Sequence, residues 1–356
     1  MSETAMSSAS RDQSAVAAAE AFAGRVVSAV LGAQEVQAMY LGDRLGYYRA
    51  LAREGPATGG ELARRTGSDE RYAREWLEHQ AVCGYVVVDD EAAAPADRRY
   101  ELPAAHAEVL ADELSLNYAL PLASITAAFR REAEALVEAY RTGGGVSWAQ
   151  FGDDARQAQA AANRPMFLGP LAREFLPAIP EVHTALVAGG RVADVGCGAG
   201  WSAIGIALAY PDARVDGFDL DEPSVDLARR HASEAGVAER VRFHHADAAS
   251  ATSADGAGGY DLVCAFECVH DLADPVSVLR TMSELVAPSG TVLVVDERVA
   301  ETFAAPGDEV ERLMYGYSIT CCLPDGRSHT PSVGTGTVMR PATLEGYARQ
   351  VGFERL

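Results

Sequence analysis

Val192-Ala193-Asp194-Val195-Gly196-Cys197-Gly198-Ala199-Gly200-Trp201 is the stretch on which the fold turns. An apolar run with strand character meets three glycines at alternate positions, and the apolar segment SAIGIALAY follows with helical character. Glycine accepts positive φ and lets the backbone turn sharply and come close to a ligand. A strand, a glycine loop and a helix in that order therefore predict a binding loop at the carboxyl end of a buried strand. The dinucleotide fingerprint G-x-G-x-x-G needs glycine at position 201, which is Trp. A nicotinamide oxidoreductase is disfavoured on that ground.

Outward from the loop, from Arg191 on, strand and helix signals alternate: RVADVG, SAIGIALAY, ARVDGFDL, VDLARRHASEAG, RVRFHHAD, YDLVCAFE, PVSVLRTMSELV, TVLVVDE. Short apolar strands separated by helices predict an α/β fold with a mostly parallel sheet covered on both faces. In such sheets ligands sit at the carboxyl ends of the strands. Asp219 ends the second strand, where a carboxylate can accept both ribose hydroxyls. Asp247 ends the third, placed to accept from an adenine amino group, and the N–H of Ala248 can donate to the ring. Asp261 opens the fourth strand and Phe266 closes it. With an acid two residues before the first glycine, this is the S-adenosylmethionine (SAM) variant of the loop. The expected cofactor set is Asp194, Gly196, Gly198, Gly200, Asp219, Leu220, Asp247, Ala248 and Phe266.

Residues 191–300 resemble a class I SAM-dependent methyltransferase. The segments FGDDARQAQAAANRPMF, DVGCGAGWS, DGFDLDEPSVDLAR, FECVHDLADP and GTGTVMR resemble those of a bacterial, largely actinobacterial branch of winged-helix methyltransferases. That branch is similar to the O-methyltransferase superfamily of small-molecule enzymes, and the likeness spans roughly residues 15–356. It implies a Rossmann-like class I domain preceded by an α-rich winged-helix dimerisation domain. It also implies SAM as methyl donor, S-adenosylhomocysteine as product, a homodimer, and a small aromatic specialised metabolite as acceptor. O-methylation is favoured, with N- or C-methylation open.

In similar O-methyltransferases a His after the fourth strand, usually in a His-Asp pair, is the general base. Within Phe266-Glu267-Cys268-Val269-His270-Asp271-Leu272, His270 takes that place. An imidazole suits the role because its ordinary pKa of about 6.5 lets it take a proton near neutral pH. Asp296 and Glu297 end the fifth strand, and either can orient His270. The bacterial relatives carry His before Cys-Leu-Pro, where this chain has Cys321. His270, Asp271 and Cys321 include metal-ligating types, but spacing alone assigns no ion, and no metal is expected.

Residues 1–14 are small and polar and read as a disordered tail. Residues 15–110 read as helix, turn, helix and two-stranded wing, the winged-helix order. The second helix of the pair holds Asp69, Glu70, Glu75 and Glu78 against Arg71 and Arg74. A helix entering the major groove carries positive charge to meet phosphate. A dimerisation module is therefore preferred over a SAM-binding transcription regulator, the alternative function. Residues 111–185 read as helical, with Trp148, Met166 and Phe167 as candidate walls of a substrate pocket. The SAM-binding catalytic domain is expected over 186–356. Within it, residues 301–340 read as an active-site lid, with Tyr315 and Cys321 as further pocket residues. A class I sheet normally adds two strands after the helix TLEGYARQVGF, and the sequence ends at Leu356 as the next would begin. Either the sequence is truncated or the last strands are missing, and an uncovered sheet edge would be a liability.

Composition narrows the partners. The 356 residues carry 51 acids against 30 bases, a formal charge of −21, and every base is Arg. So acidic a chain should repel nucleic acid and anionic lipid. The six cysteines, at 83, 197, 264, 268, 321 and 322, form no CxxC, so neither a zinc ribbon nor a redox motif is indicated. No uninterrupted apolar run of about 18 residues occurs, so no membrane span is expected. The first residues lack the basic and apolar regions of a signal peptide, and a cytoplasmic location is expected.

Overall fold

The computed structural model describes residues 3–251 and 259–354. The chain divides into two compact units, Met1–Asp112 and Glu113–Leu356.

The first unit opens with a long helix, α1 (Glu3–Arg44), followed by α2 (Tyr47–Glu54), α3 (Gly59–Thr66) and α4 (Glu70–Val82). A two-stranded antiparallel wing comes next, β1 (Val87–Val88) against β2 (Tyr100–Glu101), and α5 (Ala104–Leu110) closes the unit. Thr58 and Glu61 form a capping box at the start of α3, and Asp69 caps α4 through the N–H groups of Arg71 and Tyr72. Trp76 of α4 holds this core together. Its ring lies 4.8 Å from that of Tyr47 and 5.0 Å from that of Tyr48, and its Nε1–H donates to the Ala38 carbonyl at 2.8 Å.

The tail expected over residues 1–14 is helical from Glu3 onward. Residues 3–23 contain neither Gly nor Pro and are rich in Ala, so nothing stops α1 propagating toward the N-terminus. Val16, Phe22, Val26, Val27, Val30 and Leu31 all lie at the exposed surface of α1. Over Gln13–Arg44, α1 is long and apolar enough to cross a membrane by length and composition. The expectation of no span rested on the lack of an uninterrupted run, and Glu20 and Arg25 are what interrupt it.

The second unit begins with a helical layer. It comprises α6 (Leu120–Phe129), α7 (Ala133–Thr142), α8 (Trp148–Met166), a π-helical segment (Phe167–Phe175) and α9 (Pro180–Val187). The sheet follows, with strands β3 (Arg191–Val195), β4 (Arg214–Asp219), β5 (Val241–His245), β6 (Tyr260–Phe266) and β7 (Val286–Val295). The intervening helices are α10 (Trp201–Ala209), α11 (Glu222–Glu234) and α12 (Pro275–Leu285). Spatial order is β5-β4-β3-β6-β7, and every pairing is parallel. The order reverses between β3 and β6, which makes their carboxyl ends the switch point where such sheets bind ligands.

Successive strand residues feed opposite faces. Val192, Val215, Leu262 and Cys264 pack with Ile204, Ile206 and Val225, whereas Ala193, Val195, Val263 and Ala265 pack with Leu279, Met282 and Leu285. A third apolar cluster joins Ile125, Phe129, Phe151 and Ala155 to Cys321.

The expected lid is largely helical. It holds α13 (Glu309–Tyr317), a π-helical turn (Ser318–Cys322) and α14 (Leu323–Arg327), and α15 (Pro341–Val351) follows it. The Val146 N–H donates to the Pro324 carbonyl at 3.0 Å, and Arg327 donates to the Gly143 carbonyl at 2.6 Å. On its other side, the Gly336 N–H donates to the His270 carbonyl at 3.1 Å.

Candidate active site

The glycine loop is pinned from both sides. Gly196, Gly198 and Gly200 have φ of 69°, 49° and 82°, a left-handed series that side-chain-bearing residues rarely adopt. A Cβ on Gly196 would stand 2.6 Å from the Cys268 sulfur, and one on Gly200 would stand 2.5 Å from the Phe243 ring. Gly198 faces open space instead, so the loop is tight behind and open in front. Trp201, where a dinucleotide site would need glycine, is stacked on His231 at 4.3 Å, with Arg164 over its ring at 4.7 Å.

Two acids brace this loop. Asp194 is 1% exposed and accepts from the Ser202 hydroxyl at 2.5 Å; burial pushes its carboxyl up to about 7. Asp219, at the end of β4, accepts from the Gly198 N–H at 2.8 Å and the Asp221 N–H at 2.9 Å, and burial raises its carboxyl above the ordinary range. Leu220 beside it is 55% exposed, an apolar surface at the sheet edge. Asp247, after β5, accepts from the Ala249 N–H at 2.9 Å, and the half-buried Ala248 packs toward the sheet core. Asp261 is occupied otherwise: it accepts from the Arg191 main-chain N–H at 2.8 Å, tying β6 to β3. A glycine cradle, a carboxylate with lone pairs beyond its two main-chain bonds, and an exposed leucine beside it fit an adenosyl group. Phe266 lies deeper, its ring 5.6 Å from that of Phe167 within the core.

His270 sits on a short 3-10 turn after β6 and is 3% exposed. Its Nδ1 lies 2.6 Å from Asp296 Oδ1, and its main-chain N–H donates to Asp296 Oδ2 at 3.3 Å. Asp296, rather than Glu297, therefore orients the ring. Asp296 Oδ1 also accepts from the Glu297 N–H at 2.8 Å. On the other side of the ring, Nε2 is 3.2 Å from Asp271 Oδ1. Burial alone would lower the imidazole pKa, but Asp271, Asp296 and the neighbouring Cys322 outweigh it and hold the ring well above its ordinary value.

Acidic groups gather around this histidine. Glu267 has φ 52°, the one positive value at a non-glycine among the described residues, and its N–H donates to the Val295 carbonyl at 2.8 Å. Burial raises the Glu267 carboxyl, and burial together with Glu267 pushes Glu297 up to about 7. Tyr317 is pushed up to about 12 by burial and by Glu297.

The expected pocket residues scatter. Phe167 belongs to the sheet core. Trp148 packs half-buried on the helical cluster, and its N–H donates to Asp325 at 2.6 Å. Met166 is partly exposed at the end of α8, and the partly exposed Tyr315 has its hydroxyl 3.4 Å from Arg340. Cys321, 4% exposed, is buried with Phe129 and Phe151, and its neighbour Cys322 stands beside His270 and Asp271. Of the two cysteines the sequence points to Cys321, whereas it is Cys322 whose sulfur reaches His270 and Asp271. Tyr317, two positions after Tyr315, was likewise missed, although both stand in the same segment.

A family model described as a methyltransferase domain matches residues 186–323, and one described as an Rv2258c-like winged HTH domain matches residues 35–112. The ubiquinone biosynthesis O-methyltransferase of Aromatoleum aromaticum is 33% identical over 175 residues, which cover 48% of this chain and 67% of that protein. The chain thus spans about two thirds of the length of that curated relative. Among solved structures, the mitomycin 7-O-methyltransferase aligns with a TM-score of 0.67 at 24% identity, covering 95% of each chain. Human N-acetylserotonin methyltransferase in complex with SAM aligns with a TM-score of 0.63 at 20% identity, covering 93% of this chain and 92% of that one. At these identities the structural likeness shows the fold. With its glycine loop, its parallel sheet and its winged-helix first unit, the chain belongs to the class I SAM-dependent methyltransferases.

Proposed function

We propose that this enzyme methylates an oxygen of a small aromatic specialised metabolite, with His270 as general base. The observation that carries the reading is the buried His270–Asp296 pair, 2.6 Å apart, on the loop after β6 at the ligand-binding edge of the sheet. SAM, when bound, supplies a methyl group on a positively charged sulfur. Asp219, Leu220, Asp247, Ala248 and the Gly196–Gly200 loop hold its adenosyl portion, and Asp194 and Phe266 support them from below. In its deprotonated form His270 takes the hydroxyl proton of the acceptor at Nε2; because Asp271 and Asp296 hold the ring above its ordinary value, turnover should climb as pH rises and the ring gives up its proton. Asp296, on Nδ1, fixes the ring and stabilises the imidazolium that results. The small-molecule class is supported by relatives named for ubiquinone biosynthesis, mitomycin and N-acetylserotonin.

The winged-helix unit serves in this reading as a dimerisation module. The exposed apolar residues of α1 and the acidic α4 support that role over DNA binding and over a regulator without methyl transfer. Pairing would cover α1 between two copies and leave the enzyme in the cytoplasm. The insertion over 301–340 closes over the acceptor.

The test is turnover. His270→Ala should lower methyl transfer by about 10²–10⁴-fold and leave S-adenosylhomocysteine affinity intact. Nearly full turnover on the true acceptor would end the base assignment.

A further inference from the structure

We propose that His270, Asp271 and Cys322 form a three-ligand site for a divalent cation of the zinc class. The three residues each offer one donor atom, and these atoms lie within 4.8 Å of one another. They come from two separate parts of the chain. His270 and Asp271 stand on the turn after β6, and Cys322 is delivered by the helical insertion.

Three features suit an ion better than a chance meeting of polar groups. First, Nδ1 of His270 is committed to Asp296 at 2.6 Å, which leaves Nε2 to face Asp271 at 3.2 Å. A carboxylate behind the imidazole is the usual support of a metal-binding histidine, because it fixes tautomer and ring direction. Second, Asp271 Oδ1 is buried and has no hydrogen-bond partner, although Nε2 is only 3.2 Å away. With the ring protonated the two atoms stand at ion-pair distance, and a cation between them and Cys322 takes the place of that proton. Third, Cys321 is buried in the apolar cluster, whereas Cys322, only partly packed on that cluster, also brings its sulfur to His270 and Asp271.

The donor set decides the ion. A nitrogen, a carboxylate oxygen and a sulfur suit zinc, whereas magnesium and calcium prefer oxygen alone. Three protein ligands leave the fourth tetrahedral position open, as in catalytic zinc sites. A dication there would also offset the carboxylates of Asp271, Glu267 and Glu297. One consequence rests on the base reading above. Nε2 has a single lone pair, so an ion that takes it excludes the acceptor's proton and inhibits transfer.

The experiment titrates chelator-treated full-length protein with Co²⁺ under anaerobic conditions. One equivalent should produce a thiolate-to-cobalt charge-transfer band with tetrahedral d–d absorption, and Zn²⁺ should displace it. Cys322→Ser should abolish the charge-transfer band, Cys321→Ser should keep it, and Asp271→Asn should weaken Co²⁺ binding at least tenfold. Absence of the band in the wild-type protein, or its survival in Cys322→Ser, overturns the site. X-ray absorption of the Zn²⁺-loaded wild-type protein checks the site without any variant, and should show one sulfur at about 2.3 Å. A first shell without sulfur overturns it. Turnover separates this proposal from the base reading. Zn²⁺ should depress it in step with occupancy. Activation by Zn²⁺ would refute His270 as base and leave the metal site standing. A silent cobalt spectrum with an inactive His270→Ala would remove the site and leave the base.

Discussion

Asp219→Ala separates a carboxylate that binds cofactor from one that only braces a loop. The side chain accepts two main-chain N–H groups, from Gly198 at 2.8 Å and Asp221 at 2.9 Å. Leaving a buried donor unsatisfied costs about 1–3 kcal/mol. Both donors are half-buried, so water re-satisfies them in part and the lower half of that range applies to each. The sum, about 2–4 kcal/mol, should lower the melting temperature by roughly 4–16 °C. The cofactor loss is a separate quantity. Ribose hydroxyls donating to a charged acceptor are worth about 1.5–3 kcal/mol, which corresponds to S-adenosylhomocysteine binding roughly 10- to 150-fold more weakly. Asp219→Asn keeps the volume and one acceptor oxygen, and turns an NH₂ toward one of the two N–H donors. It should lose less stability than the alanine variant while still losing affinity. Calorimetric titration with S-adenosylhomocysteine and thermal melting of both variants give the two numbers independently. An Asp219→Ala protein that melts early but binds with wild-type affinity would refute the ribose role and leave Asp219 a brace.

Three further outcomes follow from the same geometry. Asp296→Asn removes the negative charge beside His270 and sets an NH₂ against either Nδ1 or the His270 main-chain N–H, and should lower turnover by about 10²-fold or more with cofactor affinity unchanged; wild-type turnover would show that the ring needs no support. Asp194, pushed up to about 7 by burial, contributes stability that is fully present below its unfolded pKa of about 3.9 and is lost as pH rises through about 7. Asp194→Asn keeps the neutral state, so without cofactor it should melt above the wild type at pH 8, with the gap closing toward pH 4; a lower melting point at pH 8 contradicts the assignment. Val27→Arg combined with Leu31→Arg places two charges on the exposed apolar stretch of α1. Light scattering at micromolar concentration should show a dimer for the wild type and a monomer for the variant, and a wild-type monomer would rule out α1 as the dimer face.

What could be read in the sequence followed from backbone chemistry. Alternate glycines after a strand leave few conformations, and the strands at 191–195, 214–219 and 260–266 are short, apolar and separated by helix-length segments. The side-chain directions within the insertion were not legible in the same way. Tyr315 and Tyr317, or Cys321 and Cys322, differ by one or two positions on helical turns, and which of them faces inward depends on how the turn docks. Asp296 and Glu297 posed the same problem at a strand end, where neighbours point to opposite faces. The start of α1 escaped because Ser and Asp favour caps and turns in general, and the Ala-rich sequence beyond them carried the helix through.

Docking of the insertion completes a helix that belongs to a different part of the unit. The first N–H groups of any helix have no partner inside it. In α8, the Trp148 N–H finds one in Asp325 at 2.6 Å, and the preceding Val146 N–H finds one in the Pro324 carbonyl at 3.0 Å. In the lid reading proposed above, lifting the insertion takes both acceptors away together and lets the start of α8 fray. Amide exchange at Val146 and Trp148 therefore clocks the opening of the insertion, so that a spectroscopist can follow admission to the site without placing a probe in it.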